Sequence, residues 1–159
     1  MYFQSYSLIN TGYIPSKQTK GFFSEVACPW KLPPVYAFRY FTHTHHHGYF
    51  VEGFRVRNGT WTLIGSQLVK LKKTDYMTIP GGPLLIKKGD ALVSRCFYIN
   101  PQDKDIQIGL KFDDEMCNFD IDFGYDPKFK ESFGVATACE TETPAFSLCD
   151  HKEVNGLCS

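Results

Sequence analysis

Apolar and aromatic residues alternate with polar ones over short runs, and turn-forming residues separate the runs. Six of these runs predict β-strands, over residues 35–45, 50–57, 60–66, 90–99, 106–112 and 118–125. The separators agree with this reading. Asn58-Gly59 suits a two-residue hairpin, Pro80-Gly81-Gly82-Pro83 interrupts regular structure, and Asn100-Pro101-Gln102-Asp103 reads as a loop. No window holds apolar residues at helical spacing, and no internal repeat or low-complexity linker is present. The pattern predicts an all-β chain, an antiparallel β-sandwich of the jelly-roll type over about residues 21–134. Residues 6–140 are expected to form the single domain, and residues 141–159 a tail that is stapled rather than strand-like. Tyr2-Phe3-Gln4-Ser5 resembles the remnant of a protease-cleavable expression tag, so residues 1–5 are set apart.

Composition narrows the class. The 159 residues suit one domain, and 43% hydrophobic against 21% charged residues is enough to bury a core rather than stay disordered. Lys plus Arg equals Asp plus Glu at 17 each, so no net charge draws the chain to nucleic acid or to an anionic membrane. No apolar run reaches the length of about 20 residues that spans a bilayer. Six cysteines without a Cys-x-x-Cys pair lack the usual zinc spacing. They point to three disulfides and to secretion or a secretory-pathway lumen. Asn58-Gly59-Thr60 is a glycosylation sequon; Asn58 is either a modified residue of a glycoprotein or simply a good turn residue.

The candidate chemistry is histidine. Four of the five histidines are His43, His45, His46 and His47. On a strand, alternate residues share a face, so His43 and His45 can converge on one metal while Thr44 points away. Arg39 and Phe41 share that face by the same parity, whereas Tyr36, Phe38, Tyr40 and Thr42 are expected to pack. His46 should face the packed side, and His47 should sit at the turn before Gly48. Two imidazoles suit copper, zinc, iron or nickel alike, and a plain polar strand end is the alternative. A cupin-type oxygenase also carries His-x-His on a strand. Here Glu52 lies too far along for that motif and the only later histidine is His151. No nucleophile elbow or Gly-rich phosphate loop is present.

Three segments resemble one family in order and spacing: Phe-Thr-His-Thr-His-His-His-Gly at 41–48, Val-Arg-Asn-Gly-Thr-Trp-Thr-Leu-Ile-Gly at 56–65, and Asp-Glu-Met-Cys-Asn at 114–118. They resemble the C-terminal catalytic-copper domain of the ascorbate-dependent type 2 copper monooxygenases, peptidylglycine alpha-hydroxylating monooxygenase and dopamine beta-monooxygenase, over about residues 26–139. The resemblance implies one mononuclear copper per chain, bound by His43, His45 and Met116. It further implies O2 activation for hydroxylation of a C–H bond in a peptide or small-molecule substrate, with ascorbate as external reductant. The ligand set is chemically coherent: a soft thioether favours Cu(I), two imidazoles also tolerate Cu(II), and three protein ligands leave an open position. By the same resemblance Cys96 pairs with Cys117 and Cys28 with Cys139, leaving Cys149 and Cys158 to close a small loop in the tail.

The chain also departs from that family. The family carries a second, N-terminal copper domain, and these 159 residues hold no second histidine cluster. The expectation is therefore either an upstream copper domain or another electron donor. The alternative is a secreted copper-binding or protein-interaction module without turnover. Peptidylglycine enzymes hold a substrate carboxylate through an arginine, an asparagine and a tyrosine, and the matching positions here are Phe41, Asn118 and Asp120. Asp120 repels acidic substrates. Arg39, on the same face, is expected either to replace the missing guanidinium or to neutralise Asp120. The plain alternative for Asp120 and Asp122 is the solvent face of a strand, because they alternate with Phe119, Ile121 and Phe123.

Overall fold

The computed structural model describes residues 1–70, 74–134 and 138–150, and is built almost wholly of strands. In chain order these are β1 (Tyr2–Ile14), β2 (Gln18–Pro29), β3 (Val35–Thr44), β4 (Gly48–Arg57), β5 (Thr60–Gln67), β6 (Met77–Thr78), β7 (Leu84–Ile86), β8 (Ala91–Asn100), β9 (Ile106–Ile108), β10 (Cys117–Tyr125) and β11 (Ala138–Thr143). A 3-10 turn at Pro127–Phe129 leads into the one-turn helix α1 (Lys130–Phe133), and a second 3-10 turn covers Leu148–Asp150. One sheet has the order β11-β1-β10-β3-β6, with β7 also on β3 and β9 also on β1; the other has the order β2-β8-β4-β5. Every pairing is antiparallel except that of β1 with β11. The two sheets enclose one core, with Leu8, Tyr40, Phe119 and Ile121 facing Val26, Leu92, Cys96 and Tyr98. Among the described residues, no helix is long and apolar enough to cross a membrane.

The predicted sandwich is present, and its six predicted strands correspond to β3, β4, β5, β8, β9 and β10, with β9 ending early at Ile108. Asn58 and Gly59 both adopt positive φ, at 50° and 76°, as a two-residue primed hairpin turn demands. Several boundaries need correction. β1 and β2 add two long strands that the sequence pattern did not single out. Tyr2–Ser5, set apart on sequence, pair residue by residue with 122–125 of β10. The stretch from Ala138, expected to be stapled rather than strand-like, forms β11 beside β1, and Leu148 beyond it is buried. Cys28 is bonded to Cys139, joining β2 to β11, and Cys96 to Cys117, joining β8 to β10. Both bonds cross from one sheet to the other. The Cys149 to Cys158 pairing lies outside the described residues.

The face assignment of β3 also changes, because the strand contains a β-bulge. Its register with β10 slips between Arg39↔Asp122 and Ala37↔Phe123, leaving Phe38 unpaired with β10. An extra residue on one strand reverses the alternation beyond it. Tyr40 and Thr42 are buried as expected, but Val35 and Ala37 replace Tyr36 and Phe38 on the packed side. Tyr36 and Phe38 instead turn outward, where they line an apolar hollow with Met1, Phe3 and Pro83.

Beneath the site the sheets approach across two glycines. Gly53 of β4 pairs with Gly65 of β5. A Cβ on Gly53 would lie 2.4 Å from the Phe119 ring, and one on Gly65 2.1 Å from that of Tyr40. Those two rings are stacked with centroids 5.5 Å apart and planes 6° from parallel. The glycine pair thus makes room for rings on the two strands that carry the histidines and the methionine. Gly53→Val is expected to destabilise the fold by about 3 kcal/mol through overpacking, read as a lower urea midpoint at unchanged m-value.

Candidate metal centre

The site forms where the end of β3 meets the start of β10. Their register sets Thr44 against Cys117, His43 against Asn118, Phe41 against Asp120 and Arg39 against Asp122. β1 continues the rows on the far side, with Ile9 against Asn118, Ser7 against Asp120 and Ser5 against Asp122. His43, Asn118, Asp120 and Arg39 therefore share the outer face of one sheet, and Met116 immediately precedes Cys117, whose pairing with Thr44 ends the ladder. Residues predicted from two distant segments, 39–45 and 116–120, come together here, whereas the third segment, 56–65, lies in the other sheet.

The imidazoles of His43 and His45 have centroids 5.0 Å apart and planes 86° from parallel. Burial lowers the His43 pKa, helped by the nearby charge of His45 and opposed by Asp120 and Glu115. That shift favours the neutral form a metal requires. His45 Nδ1 lies 2.5 Å from the Asp114 carbonyl oxygen, to which it donates, leaving Nε2 free for a metal. Met116 is held from the core side. The hydroxyl of fully buried Tyr98 donates to the Met116 carbonyl oxygen over 2.5 Å, and Cys117 is fixed by its disulfide. Burial, then the nearby Glu115, pushes the Tyr98 pKa well above its ordinary value, so the phenol keeps its donor proton.

Among the described residues, no three His, Cys, Asp and Glu side chains gather at one point. Met116, the soft donor that the family resemblance assigns beside the two histidines, lies one residue before the start of β10. The cupin alternative loses its glutamate: Glu52 lies in the other sheet, ion-paired with Arg95. His151 lies outside the described residues.

Two further expectations are corrected. β3 stops at Thr44, so strand parity does not extend to His46, which is exposed and whose carbonyl accepts from Lys70 Nζ over 2.8 Å. Arg39 pairs with Asp122, not Asp120, and Ser5 Oγ also donates to Asp122 over 2.5 Å. The Arg39 guanidinium lies 4.3 Å from the ring centroid of Tyr76, which packs 5.0 Å from Phe41. Among the described residues Asp120 forms no ion pair with a lysine or arginine, and the nearby basic group is His43. Burial raises its pKa against the opposing Ser7 hydrogen bond, and its Oδ1 is buried without a hydrogen-bond partner. Neither aspartate is on a simple solvent face, since Asp122 is only 7% exposed.

Glu115 is a residue of the site that the sequence reading treated only as flanking. Its carboxylate is buried and accepts the backbone N–H groups of His45, Met116 and His47. The signal available in the sequence was a charged residue two positions before a cysteine that leads into a predicted strand.

Comparison with known proteins identifies the family of the chain. Residues 4–143 match the family described as copper type II ascorbate-dependent monooxygenase, C-terminal domain. The chain is 36% identical over 130 residues to a peptidyl-glycine alpha-amidating monooxygenase of Mus musculus, covering 81% of this chain and 13% of the relative. The Rattus norvegicus enzyme of that name is 37% identical over 115 residues, covering 72% and 12%. Form B from Xenopus laevis is 35% identical over 137 residues, covering 86% and 15%. The chain thus spans less than a sixth of the length of these relatives. It belongs to the copper type II ascorbate-dependent monooxygenase family, as a C-terminal domain.

Proposed function

We propose that this domain holds one copper through His43, His45 and Met116 and serves C–H hydroxylation of a peptide or small-molecule substrate by O2, with ascorbate as reductant. The observation that carries the reading is the perpendicular His43 and His45 pair, the latter donating from Nδ1 to the Asp114 carbonyl oxygen, with Met116 one residue before the Cys117 that pairs with Thr44. Copper bound there would supply one-electron redox chemistry and O2 activation. The chain's own residues do the rest. Phe41 and Tyr76, packed with their rings tilted by 34°, offer an aromatic wall near His43, and Asn118 offers an amide in the row of His43. Asp120 disfavours anionic groups on that face. The two disulfides suit folding in the secretory pathway.

The test is copper stoichiometry under reducing conditions, with X-ray absorption on the loaded protein and O2 uptake in the presence of ascorbate. One copper with two imidazoles and one sulfur supports the site. Zinc bound without sulfur, or no tight copper, sinks it. A second reading, a copper-binding module without turnover, is favoured by the loss of a carboxylate clamp: Phe41 stands at the arginine position, and Arg39 is engaged by Asp122. It predicts the same copper spectrum with no O2 uptake, even when a family N-terminal copper domain is added. Asp120→Asn should tighten binding of a small carboxylate such as hippurate by about tenfold, the equivalent of roughly 1.4 kcal/mol, in a calorimetric titration.

A further inference from the structure

The most deeply buried charged side chain at the site is Glu115. Its side chain has no exposed surface, yet no lysine or arginine forms an ion pair with it among the described residues. Four N–H groups surround it instead. Oε1 accepts from the backbone N–H of His45 and, over 2.9 Å, from that of Met116. Oε2 accepts from the His47 backbone N–H over 2.8 Å and lies 3.3 Å from His47 Nδ1. Its own backbone is equally committed, with Glu115 N donating to Gln107 O over 2.8 Å and Gly109 N donating to Glu115 O over 3.1 Å. One residue is thus anchored by its main chain to β9 and by its side chain to the turn at 45–47.

We infer that Glu115 is the positioning residue of the metal centre, setting the separation between the histidine turn and the methionine through one buried carboxylate. This rests on the copper reading above. The physical argument is that the metal donors come from different strands. Beyond the Thr44↔Cys117 pair the sheet ladder ends, so His45 and Met116 need another tie. A carboxylate can accept on both oxygens, and hydrogen bonds to a charged acceptor are the stronger kind. Supporting groups of this sort ordinarily govern metal affinity about as strongly as a weak ligand, by roughly 10- to 100-fold. A glutamine of the same size accepts on one oxygen only and presents an NH2 to donors on the other side. Either the His45 and Met116 amides or the His47 amide would then lose their acceptor.

The experiment compares wild type, Glu115→Gln and Glu115→Asp by amide exchange without metal and by X-ray absorption after Cu(I) loading. In Glu115→Gln, the His45, Met116 or His47 amides should exchange at least tenfold faster, while core amides such as those of Leu92 and Ile121 stay unchanged. Cu(I) affinity should fall at least tenfold, with the sulfur signal weakened or lost. Glu115→Asp, which keeps the charge and both acceptors on a shorter arm, should retain the sulfur signal at reduced affinity. It also serves as the test if the glutamine variant does not fold. Wild-type exchange and a wild-type sulfur signal in Glu115→Gln would overturn the inference, as would a uniform acceleration of all amides, which marks a merely structural role. If wild type itself binds no copper, the functional reading fails, and the local exchange pattern still decides whether Glu115 ties the turn to β10.

Discussion

His43→Ala and His45→Ala should each abolish tight copper binding, taking the stoichiometry from one per chain to none in equilibrium dialysis under reducing conditions. With three protein donors, loss of one imidazole leaves two, and the remaining pair no longer encloses the ion. Neither change should cost the metal-free fold more than about 1 kcal/mol, because both rings lie on the outer face and are only half-buried. Met116→Leu, which keeps core volume while removing the sulfur, should weaken Cu(I) far more than Cu(II). Equal weakening of both oxidation states would argue against a thioether ligand.

The second large effect concerns stability. Asp90, at the end of the turn into β8, is only 2% exposed and accepts from Arg57 Nε and Nη2 over 2.6 and 2.8 Å, and from the Lys87 backbone N–H over 2.9 Å. Arg57 also donates to the Leu85 carbonyl oxygen over 3.2 Å, so this cluster ties β4 to β7 and β8. Burial alone would raise the Asp90 pKa. The Arg57 hydrogen bonds, the Lys87 amide and the charges of Arg57 and Arg55 outweigh it, and the value falls below the ordinary carboxylate range. A depressed folded-state value means that the contribution is present above the unfolded value, near pH 4, and is lost as pH falls through the folded one. Arg57→Met leaves a buried carboxylate unpaired and should cost about 3 kcal/mol near neutrality, a large share of a small domain's stability. In urea unfolding followed from pH 7 to pH 2.5, wild type should lose stability on the acid side and the variant much less. Parallel curves would show that the pair is not what stabilises this corner.

Reading the chain in advance worked where local chemistry and long-range geometry coincide. The His43-Thr44-His45 parity is a property of any strand, and Asn58-Gly59 of a hairpin, so both were legible. β1 was not, because Gln4, Ser5, Ser7, Asn10 and Thr11 make it as polar as an arm, and it becomes a strand only by pairing with β10. β11, with Glu140 and Glu142 on an edge, was hidden for the same reason. The partner of Arg39 was decided by register: Asp122 lies directly across and Asp120 lies across from Phe41, which a single strand cannot reveal. Glu115 shows the limit most sharply, since a carboxylate in a sequence looks like surface until four donors are found around it.

The unpaired Phe38 has a consequence for how this strand tolerates change. Upstream of it the chain counts faces in one frame, and from Arg39 onward in the other. Deleting one residue among 35–37 should be absorbed by shifting the exposed Tyr36 end, whereas deleting one between Arg39 and Thr42 would exchange inside for outside and drive His43 into the space of the Tyr40 and Phe119 rings. Removing Phe38 itself would take out the extra residue and join the two frames, with Val35 and Ala37 still inward and the histidines still outward. The bulge therefore works as a frameshift buffer, separating the part of β3 that can drift from the part that must hold its phase.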